Sequence, residues 1–374
     1  MNFSCERGEL LDVISNIQPV IPTRSTHPVL SNVLLLVEKE GLTILGTDLD
    51  ISIKGKVEGS VIEEGAIAVP AKRLLELLRE LGEGEVNLKR DGERIIIKKG
   101  TGRFTVSGVE KEDFPVEDIL GEKQKEIKLK SSYLEDMLKA TTFAISSDVA
   151  RISLSGLFLK TQGKEIIAVA TDGHRLTMIK KELEEESSEE FEMIIPQKTV
   201  GNLNKMLGSE KEVHMIIGNG TVCFDIGKYT LTSKLIMEKF PDYTQVIPKD
   251  NTMVLIAEKS IFSSAVKRTS VLSNPLTHLV KLKINEGKCE LSSSDYDVGG
   301  EAYEEIDVDY SDDPITIGFN SSYLMEILRH IESDEIKIMM KNPLSSSLIV
   351  PLPQDEGEEY LSILMPLRLP EDET

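Results

Sequence analysis

The segment "ATDGHRL", residues 170–176, decides the fold, because related segments occur at two other points in the chain. The earlier one is "LGTDLDISI" at 45–53 and the later one is "SSSDYDVGG" at 292–300. Their shared acid is Asp48, Asp172 and Asp295, and these acids are separated by 124 and 123 residues. This nearly constant spacing indicates a unit of about 120 residues, an ordinary domain size, written three times.

Two amphipathic segments recur in each unit. The first lies at 8–18, 132–143 and 260–272, and the second at 70–81, 196–207 and 320–331. In the earliest copy of the second segment, Leu74, Leu77, Leu78 and Leu81 follow the i, i+3, i+4, i+7 spacing of a helix with one buried face. The pattern therefore predicts six helices, two in each unit.

Strand signals follow each second helix. The turns Asp91-Gly92 and Asn219-Gly220 are typical of tight β-hairpins, whereas the third copy has Asn342-Pro343 in a longer loop. Strands and helices in this order predict an α+β protein in which two helices per unit pack on antiparallel sheets. We expect three domains, at 1–123, 124–249 and 250–374.

The charge of the chain limits how it could meet DNA. The net charge is −21, which opposes a surface that grips phosphates everywhere. The six helical segments, however, sum to +2, and the acids concentrate in 182–190, 304–313 and 355–359. Such helices tolerate a polyanion without binding it tightly, since strong phosphate binding needs many Lys and Arg contacts.

The remaining composition excludes several classes of protein. No apolar run is long enough to span a membrane and the first residues do not resemble a signal peptide, so we expect a cytoplasmic protein with no membrane partner. Cys5, Cys223 and Cys289 are far apart, so we expect free thiols. No spacing typical of a metal site or a cofactor site occurs, and we expect neither.

Asp172 and His174 look at first like a catalytic pair. A hydrolase would need a nucleophile beside His174, and no such arrangement is visible in the sequence. Asp48 and Asp295 occupy the equivalent position with no histidine two residues later. The repeated acid is therefore interpreted as structural, satisfying a turn, and we expect no catalytic residue.

The three copies, together with "FPDYTQVIP" (240–248), "GFNSSYL" (318–324) and "MPLRL" (365–369), resemble the bacterial DNA sliding clamp family, the β subunit of the replicative DNA polymerase. The resemblance covers nearly the whole chain. It implies a homodimeric ring of six domains with twelve helices around duplex DNA. Retention on DNA would then be topological and independent of sequence.

The resemblance also implies partners and sites. The partners are the replicative polymerase, the clamp loader, and other replication and repair proteins that carry a short peptide with a glutamine and apolar anchors. The peptide pocket would be lined by Leu154, Thr171, Gly173, His174, Arg175, Leu176, Pro241, Val246, Leu344, Ser346, Ile363, Met365, Pro366, Leu367 and Arg368. Leu, Met, Val and Pro side chains with a few polar groups suit such a pocket.

Two further sets of residues complete the expectation. The DNA-facing candidates are Arg24 and Arg151, which match family positions on loops, and Arg73, Arg79, Lys198 and Lys205, which follow from the helix pattern. At the dimer interface, Arg103, Phe104 and Val106 would meet Val271, Leu272, Glu301, Glu304 and Glu305 of the second copy. The acidic "PEDET" at 370–374 extends beyond the Arg-Leu pair at which the family often ends.

Two other hypotheses remain at this point. One is a hydrolase that uses Asp172 and His174, in which His174→Ala would abolish turnover. The other is an acidic three-domain scaffold that never meets DNA and is a monomer in solution.

Overall fold

The computed structural model describes residues 1–115, 120–183, 190–209, 211–295 and 299–369. The first repeat contains the strands β1 (Asn2–Glu6), β2 (Asn32–Glu38), β3 (Gly41–Thr47), β4 (Ile51–Val57), β5 (Ser60–Glu63), β6 (Gly65–Pro70), β7 (Glu85–Asp91), β8 (Arg94–Lys99) and β9 (Gly102–Ser107), with the helices α1 (Arg7–Ile17) and α2 (Ala71–Glu80).

The second repeat contains β10 (Lys123–Lys130), β11 (Gly156–Gln162), β12 (Glu165–Thr171), β13 (Arg175–Glu182), β14 (Glu192–Pro196), β15 (Glu212–Gly218), β16 (Thr221–Ile226) and β17 (Tyr229–Lys234), with α3 (Ser131–Thr141) and α4 (Gln197–Met206). The third contains β18 (Met253–Glu258), β19 (Leu279–Asn285), β20 (Lys288–Asp295), β21 (Gly300–Asp307), β22 (Ile315–Asn320), β23 (Glu335–Met340), β24 (Ser347–Leu352) and β25 (Glu358–Leu364), with α5 (Lys259–Ser270) and α6 (Ser321–His330). Apart from the extra strand β5, all three repeats have the same element order, so the predicted threefold duplication is confirmed.

The strands pair into four antiparallel sheets, with the orders β5-β1-β7-β8-β9, β10-β15-β16-β17-β4-β3-β2-β6, β14-β11-β12-β13-β25-β24-β23-β18 and β21-β20-β19-β22. The second and third repeats each contribute two groups of four strands, and the first contributes one group of four and one of five that includes β5. The two eight-stranded sheets form where β4 pairs with β17 and where β13 pairs with β25. Successive repeats are therefore joined by backbone hydrogen bonds, while β9 and β21 end their sheets among the described residues.

The helices begin and end close to the predicted positions because their apolar stripes are buried. In α2, Leu74, Leu75 and Leu78 are buried while Lys72 and Arg73 are exposed. Removing one such leucine from water contributes about 2 kcal/mol. Helix α6 is capped by Asn320, the residue before its first turn, whose Oδ1 accepts hydrogen bonds from the backbone N of Ser322 at 2.9 Å and of Tyr323 at 3.2 Å.

By its internal contacts the chain forms two compact units. One comprises residues 1–135 and 198–236, and the other comprises 136–197 and 237–374. The predicted hairpin turns are confirmed, since Gly92 and Gly220 have φ values of 59° and 73°, the conformation that Gly adopts in such turns. In the described part of the chain, every helix is too short or too polar to cross a membrane.

The three cysteines are all buried. Burial raises the pKa of the Cys5 thiol to about 12 and that of Cys289 to about 12. A thiol with so high a pKa is almost entirely protonated at neutral pH and is a poor nucleophile.

Candidate functional site

The "ATDGHRL" segment forms a tight turn between β12 and β13. The Asp172 Oδ1 accepts hydrogen bonds from the backbone N of His174 at 2.9 Å and of Arg175 at 3.0 Å. The Thr171 hydroxyl donates to the Arg175 carbonyl at 2.6 Å. Gly173 has a φ of 87°, in the left-handed region where a side chain is strained.

The first repeat builds the same turn from a different sequence. Asp48 Oδ1 accepts from the backbone N of Asp50 at 3.0 Å and of Ile51 at 2.7 Å, and the Thr47 hydroxyl donates to the Ile51 carbonyl at 2.9 Å. Leu49, with a φ of 77°, occupies the position of Gly173. The prediction that the repeated acid satisfies a turn is therefore confirmed at Asp48 and Asp172. The third copy of this turn includes residues 296–298, which lie outside the described residues.

Arg175 uses the other oxygen of Asp172. Its Nε donates to Asp172 Oδ2 at 3.1 Å, its Nη1 donates to Glu326 Oε2, and its Nη2 donates to the Phe143 carbonyl at 2.7 Å. The guanidinium also lies 4.5 Å from the centre of the Tyr323 ring, within the range of a cation–π contact. Arg175 is only 7% exposed, so this one side chain ties the turn to helix α6.

His174 is positioned by packing rather than by an acid. Its ring stacks on Tyr323 with 6.1 Å between the ring centres, and Asp172 reaches only its backbone N among the described contacts. Both carboxylate oxygens of Asp172 already have partners. The Asp172–His174 pair therefore lacks the geometry of an acid that orients a catalytic imidazole.

Beside this turn lies a cavity of about 860 Å³, the size range of ligand-binding clefts. Eleven of the fifteen residues proposed for the peptide pocket line it. These are Leu154, Thr171, Gly173, His174, Arg175, Leu176, Pro241, Val246, Ser346, Ile363 and Met365. Residues distant in the sequence are brought together because β13 pairs with β25, which places Leu176 opposite Ile363.

The other four candidates lie outside the lining. Leu344 is 72% exposed, in the loop between β23 and β24. Pro366, Leu367 and Arg368 follow β25, and the backbone N of Leu367 donates to the Gly318 carbonyl at 2.8 Å. That bond directs the chain toward β22, so only Met365 of this segment reaches the cavity.

The cavity also includes residues that the sequence analysis missed, most of them in one loop. They are Phe240, Asp242, Tyr243, Thr244, Gln245, Ile247, Pro248, Lys249, Asp250, Asn251, Lys341 and Ser345. Phe240 anchors this loop by stacking on Phe158 with 4.7 Å between ring centres. The segment "FPDYTQVIP" could have indicated this loop, because its prolines and polar residues are typical of an ordered loop.

The candidate DNA-facing residues differ in their surroundings. Arg24, Arg73, Arg79 and Lys205 are exposed. Lys198 instead forms an ion pair with Asp48. Arg151 lies 3.5 Å from the Asp148 carboxylate and donates to the Asp172 carbonyl. A groove between α5 and α6, which no sequence pattern indicated, is lined by five serines together with Lys259, Lys267 and Arg329.

The candidate interface residues lie on the two sheet-ending strands and beside α5. Arg103, Phe104 and Val106 are on β9, and Glu301, Glu304 and Glu305 are on β21. Phe104 is 36% exposed, Val271 77% and Leu272 41%, which are high values for apolar side chains. Within the chain, Glu304 pairs with Arg268 and Glu305 with Lys288.

Comparison with known proteins places the whole chain in one family. Models of the DNA polymerase III beta subunit match in order: its N-terminal domain at residues 1–118, its central domain at 128–242 and its C-terminal domain at 244–368. The beta sliding clamp of Pseudomonas putida is 32% identical and that of Caulobacter vibrioides 35% identical, each over 99% of this chain and 100% of the relative.

Solved structures agree with the sequence comparison. A sliding clamp (DNA polymerase III subunit beta) from Pseudomonas aeruginosa, bound to griselimycin, superposes with a TM-score of 0.94 at 31% identity, covering 99% of this chain and 100% of that one. The clamp from Bartonella birtlesii gives 0.93 at 33% identity with the same coverage. The chain therefore belongs to the DNA polymerase III beta subunit family, the beta sliding clamps.

Proposed function

We propose that two copies of this DNA sliding clamp close head to tail into a six-domain ring around duplex DNA. The chain serves the processivity of DNA polymerase III and is not an enzyme. In the proposal, each copy contributes the domains 1–123, 124–249 and 250–374, and a peptide from the polymerase binds the cavity beside Arg175. The observation that carries the proposal is the repeated junction between domains.

Two junctions inside the chain have the same register. Ile51, three residues after Asp48, pairs with Ser233, and Ile53 pairs with Leu231. Arg175, three residues after Asp172, pairs with Leu364, and Thr177 pairs with Ser362. Each repeat thus offers one strand to the previous repeat and another to the next. Only β21 and β9 have no such partner among the described residues, and pairing them between two copies removes both exposed edges.

We infer the register of this third junction by analogy with the two internal junctions. Ser52 pairs with Thr47 in the first repeat, and Glu301 pairs with Ser294 at the equivalent place in the third repeat. Ser52 and Glu301 are therefore equivalent positions. On the strands that pair with these positions, Tyr229 of β17 pairs with Ile226, and Gly102 of β9 pairs with Lys99. Tyr229 and Gly102 are therefore equivalent as well. Since Thr232 pairs with Ser52, Thr105 lies opposite the partner subunit's Glu301. Because the two strands are antiparallel, Phe104, one residue before Thr105, lies opposite the partner subunit's Ala302.

This register suits the side chains on the two strands. Phe104 reaches the apolar surface of the partner subunit's Val271 and the partner subunit's Leu272, whose exposed area is then covered. On the other face, Arg103 lies between the partner subunit's Glu301 and the partner subunit's Glu305. Opposite charges across neighbouring strands are favourable. An apolar centre with a charged rim is typical of an interface that can reopen.

DNA is held by enclosure in this proposal, with few strong contacts. Arg24, Arg73, Arg79 and Lys205 supply transient phosphate contacts, and the serine-rich groove of α5 and α6 adds Lys267 and Arg329. Lys198 and Arg151 contribute less because nearby acids partly neutralise them. Weak contacts of this kind allow sliding along the duplex.

The cavity beside Arg175 is the proposed binding site for the protein partners. Leu154, Leu176, Val246, Ile363 and Met365 offer apolar walls, and Met and Leu side chains adapt to different ligands. We assign this cavity to a short peptide with a glutamine and apolar anchors. Such peptides are carried by the polymerase, the clamp loader, and other replication and repair proteins, all acting in the cytoplasm.

Retention on circular DNA tests the proposal. The clamp is loaded onto nicked circular DNA by a clamp loader with ATP, and bound clamp is measured before and after a restriction enzyme cuts the circle. Clamp retained on the circle should be lost within minutes after cutting. Equal loss from circular and linear DNA would contradict enclosure, and a monomeric mass at micromolar concentration would favour a scaffold that does not encircle DNA.

A further inference from the structure

The cavity beside Arg175 has a second, polar part. It is lined by Lys249, Asp250 and Asn251 before β18 and by Lys341 and Ser345 after β23. We propose that this polar part binds an acidic side chain next to the apolar anchors of the partner peptide. The inference rests on the proposed peptide-binding function and assigns a specificity-determining role to Lys249 and Lys341.

The two loops that form the polar part are held in place by hydrogen bonds. Asn251 Nδ2 donates to the Met339 carbonyl at 2.9 Å and to the Ser346 carbonyl at 3.0 Å, so one amide ties both loops together. Asn342 Oδ1 accepts from the backbone N of Leu344 at 2.9 Å and of Ser345 at 2.8 Å. Because the loops are ordered before a ligand binds, little entropy is lost when it does.

The charges in the polar part favour an anion. Lys249 is exposed and has no ion-pair partner among the described residues. Lys341, 48% exposed, pairs with Asp250, which is 65% exposed, so this ion pair is open to a competing carboxylate. A carboxylate bound in this part of the cavity would pair with Lys249 or would compete with Asp250 for Lys341.

The other charged residues of the lining are already engaged. Arg175 is bound to Asp172 and Glu326. Asp242 accepts hydrogen bonds from Thr244 and Gln245. The two lysines are therefore the cations in the lining that a ligand can reach, in a chain whose net charge is −21. An acidic peptide would be repelled by most of this surface and attracted here, which directs it to one register in the cavity.

The same charges explain why an acidic residue is preferred to its neutral isostere. Asparagine matches aspartate in shape but gains no ion pair with Lys249 or Lys341. A partly exposed ion pair is screened by salt. The preference should therefore be present at low ionic strength and disappear at high ionic strength.

The test uses two synthetic peptides that share a glutamine and leucine anchors. One has aspartate on both sides of the anchors and the other has asparagine, and fluorescence anisotropy gives their affinities for the full-length clamp. We expect the aspartate peptide to bind about threefold to tenfold more tightly at about 0.05 M salt. At about 0.5 M salt the two affinities should be equal.

Three variants test whether Lys249 and Lys341 cause the preference for the aspartate peptide. Lys249→Gln with Lys341→Gln should remove the preference while leaving the asparagine peptide unaffected. Asp250→Asn should have the opposite effect, because it frees Lys341 and so tightens binding of the aspartate peptide alone. Lys337→Gln, on β23 but outside the lining, is the matched control and should behave as the wild type.

The outcomes separate the inference from the function on which it rests. Equal binding of both peptides to the wild type would overturn the acidic preference and leave the peptide pocket intact. A preference that survives the double lysine variant would assign it to other residues and overturn the role of Lys249 and Lys341. Failure of both peptides to bind would overturn the proposed pocket itself, and with it this inference.

Discussion

At the scale of single residues, Arg175 shows how a buried charge can join two repeats. Its counterpart in the first repeat is Ile51, which makes the equivalent strand pairing with an apolar side chain. Arg175 instead contacts Asp172, Glu326 and Phe143 and also lines the cavity. The second junction is therefore held by ionic contacts at the position where a partner peptide is proposed to bind.

Replacing Arg175 with Met should lower the free energy of unfolding by about 3 kcal/mol, because the variant leaves a half-buried Asp172 without its cation. Denaturant-induced unfolding of both proteins measures the difference. Arg151→Met is the control, since Arg151 is exposed and its removal should change the free energy by at most about 0.5 kcal/mol. Equal effects of the two changes would show that Arg175 does not hold the junction.

His330 makes the stability of the same junction depend on pH. Its ring stacks on Phe143 with 4.5 Å between ring centres, and burial, with a contribution from Arg329, lowers the pKa of His330. The unfolded chain takes up a proton at the ordinary pKa of about 6.5, whereas the folded chain does so only at lower pH. This contribution to stability is therefore complete above about pH 6.5 and is lost as the pH falls further.

We expect the melting temperature of the wild type to fall more steeply between about pH 7 and pH 5 than that of His330→Phe, which keeps a ring against Phe143 and cannot take up a proton. His27→Phe, at an exposed loop position, should follow the wild type. Parallel curves for the wild type and His330→Phe would exclude His330 as the titrating group.

At the scale of elements, the repeated unit works through its edge strands. In each repeat, one group of four strands ends in a strand such as β4 or β13, and the other ends in one such as β17 or β25. Main-chain hydrogen bonds join these strands whatever their side chains are, which explains how Ile51 and Arg175 occupy the same position. The third pair, β21 and β9, is the one that we propose forms between two copies.

Cysteine cross-linking tests the register proposed for that pair. Thr105→Cys with Glu301→Cys should form a disulfide between subunits under mild oxidation, because residues directly opposite in an antiparallel pair have Cβ atoms about 5 Å apart. Thr105→Cys with Ala302→Cys is the control, since Ala302 points to the other face of its strand. Electrophoresis without reductant measures the linked dimer. Stronger linking in the control would show that the register is shifted by one residue.

At the scale of the whole molecule, an acidic chain can stay on DNA because, in the proposal, it encircles the duplex and does not need to bind it tightly. With a net charge of −21, direct affinity for phosphates cannot supply long residence. Function then depends on the stability of the proposed dimer. Phe104 is the exposed apolar side chain on β9 that the proposed interface covers.

Phe104→Arg should convert the dimer into a monomer and abolish retention on circular DNA, because it places an unpaired charge in the apolar centre of the interface. Sedimentation equilibrium measures the mass. Ile62→Arg is the matched control: Ile62 is 61% exposed on β5, at the opposite edge of the same sheet, and the dimer should persist. A stable Phe104→Arg dimer would place the interface elsewhere.

The sequence by itself determined the threefold repeat, the six helices, the hairpin turns and the structural role of Asp48 and Asp172. These features rest on local physics: helical periodicity, the backbone preferences of Asn-Gly and Asp-Gly, and side chains that bond to a nearby backbone. A signal of this kind lies within a few residues and can be read without knowing the rest of the fold.

Only the tertiary structure decided the outline of the cavity and the contacts of Arg175. The loop from Phe240 to Asn251 has no periodicity, so nothing local predicts that Asp250 pairs with Lys341 or that Lys249 lines the same cavity. Leu367 was expected in the cavity and instead pairs with Gly318. These outcomes depend on which distant strands pair, because residues far apart in the chain meet only after the sheets have formed.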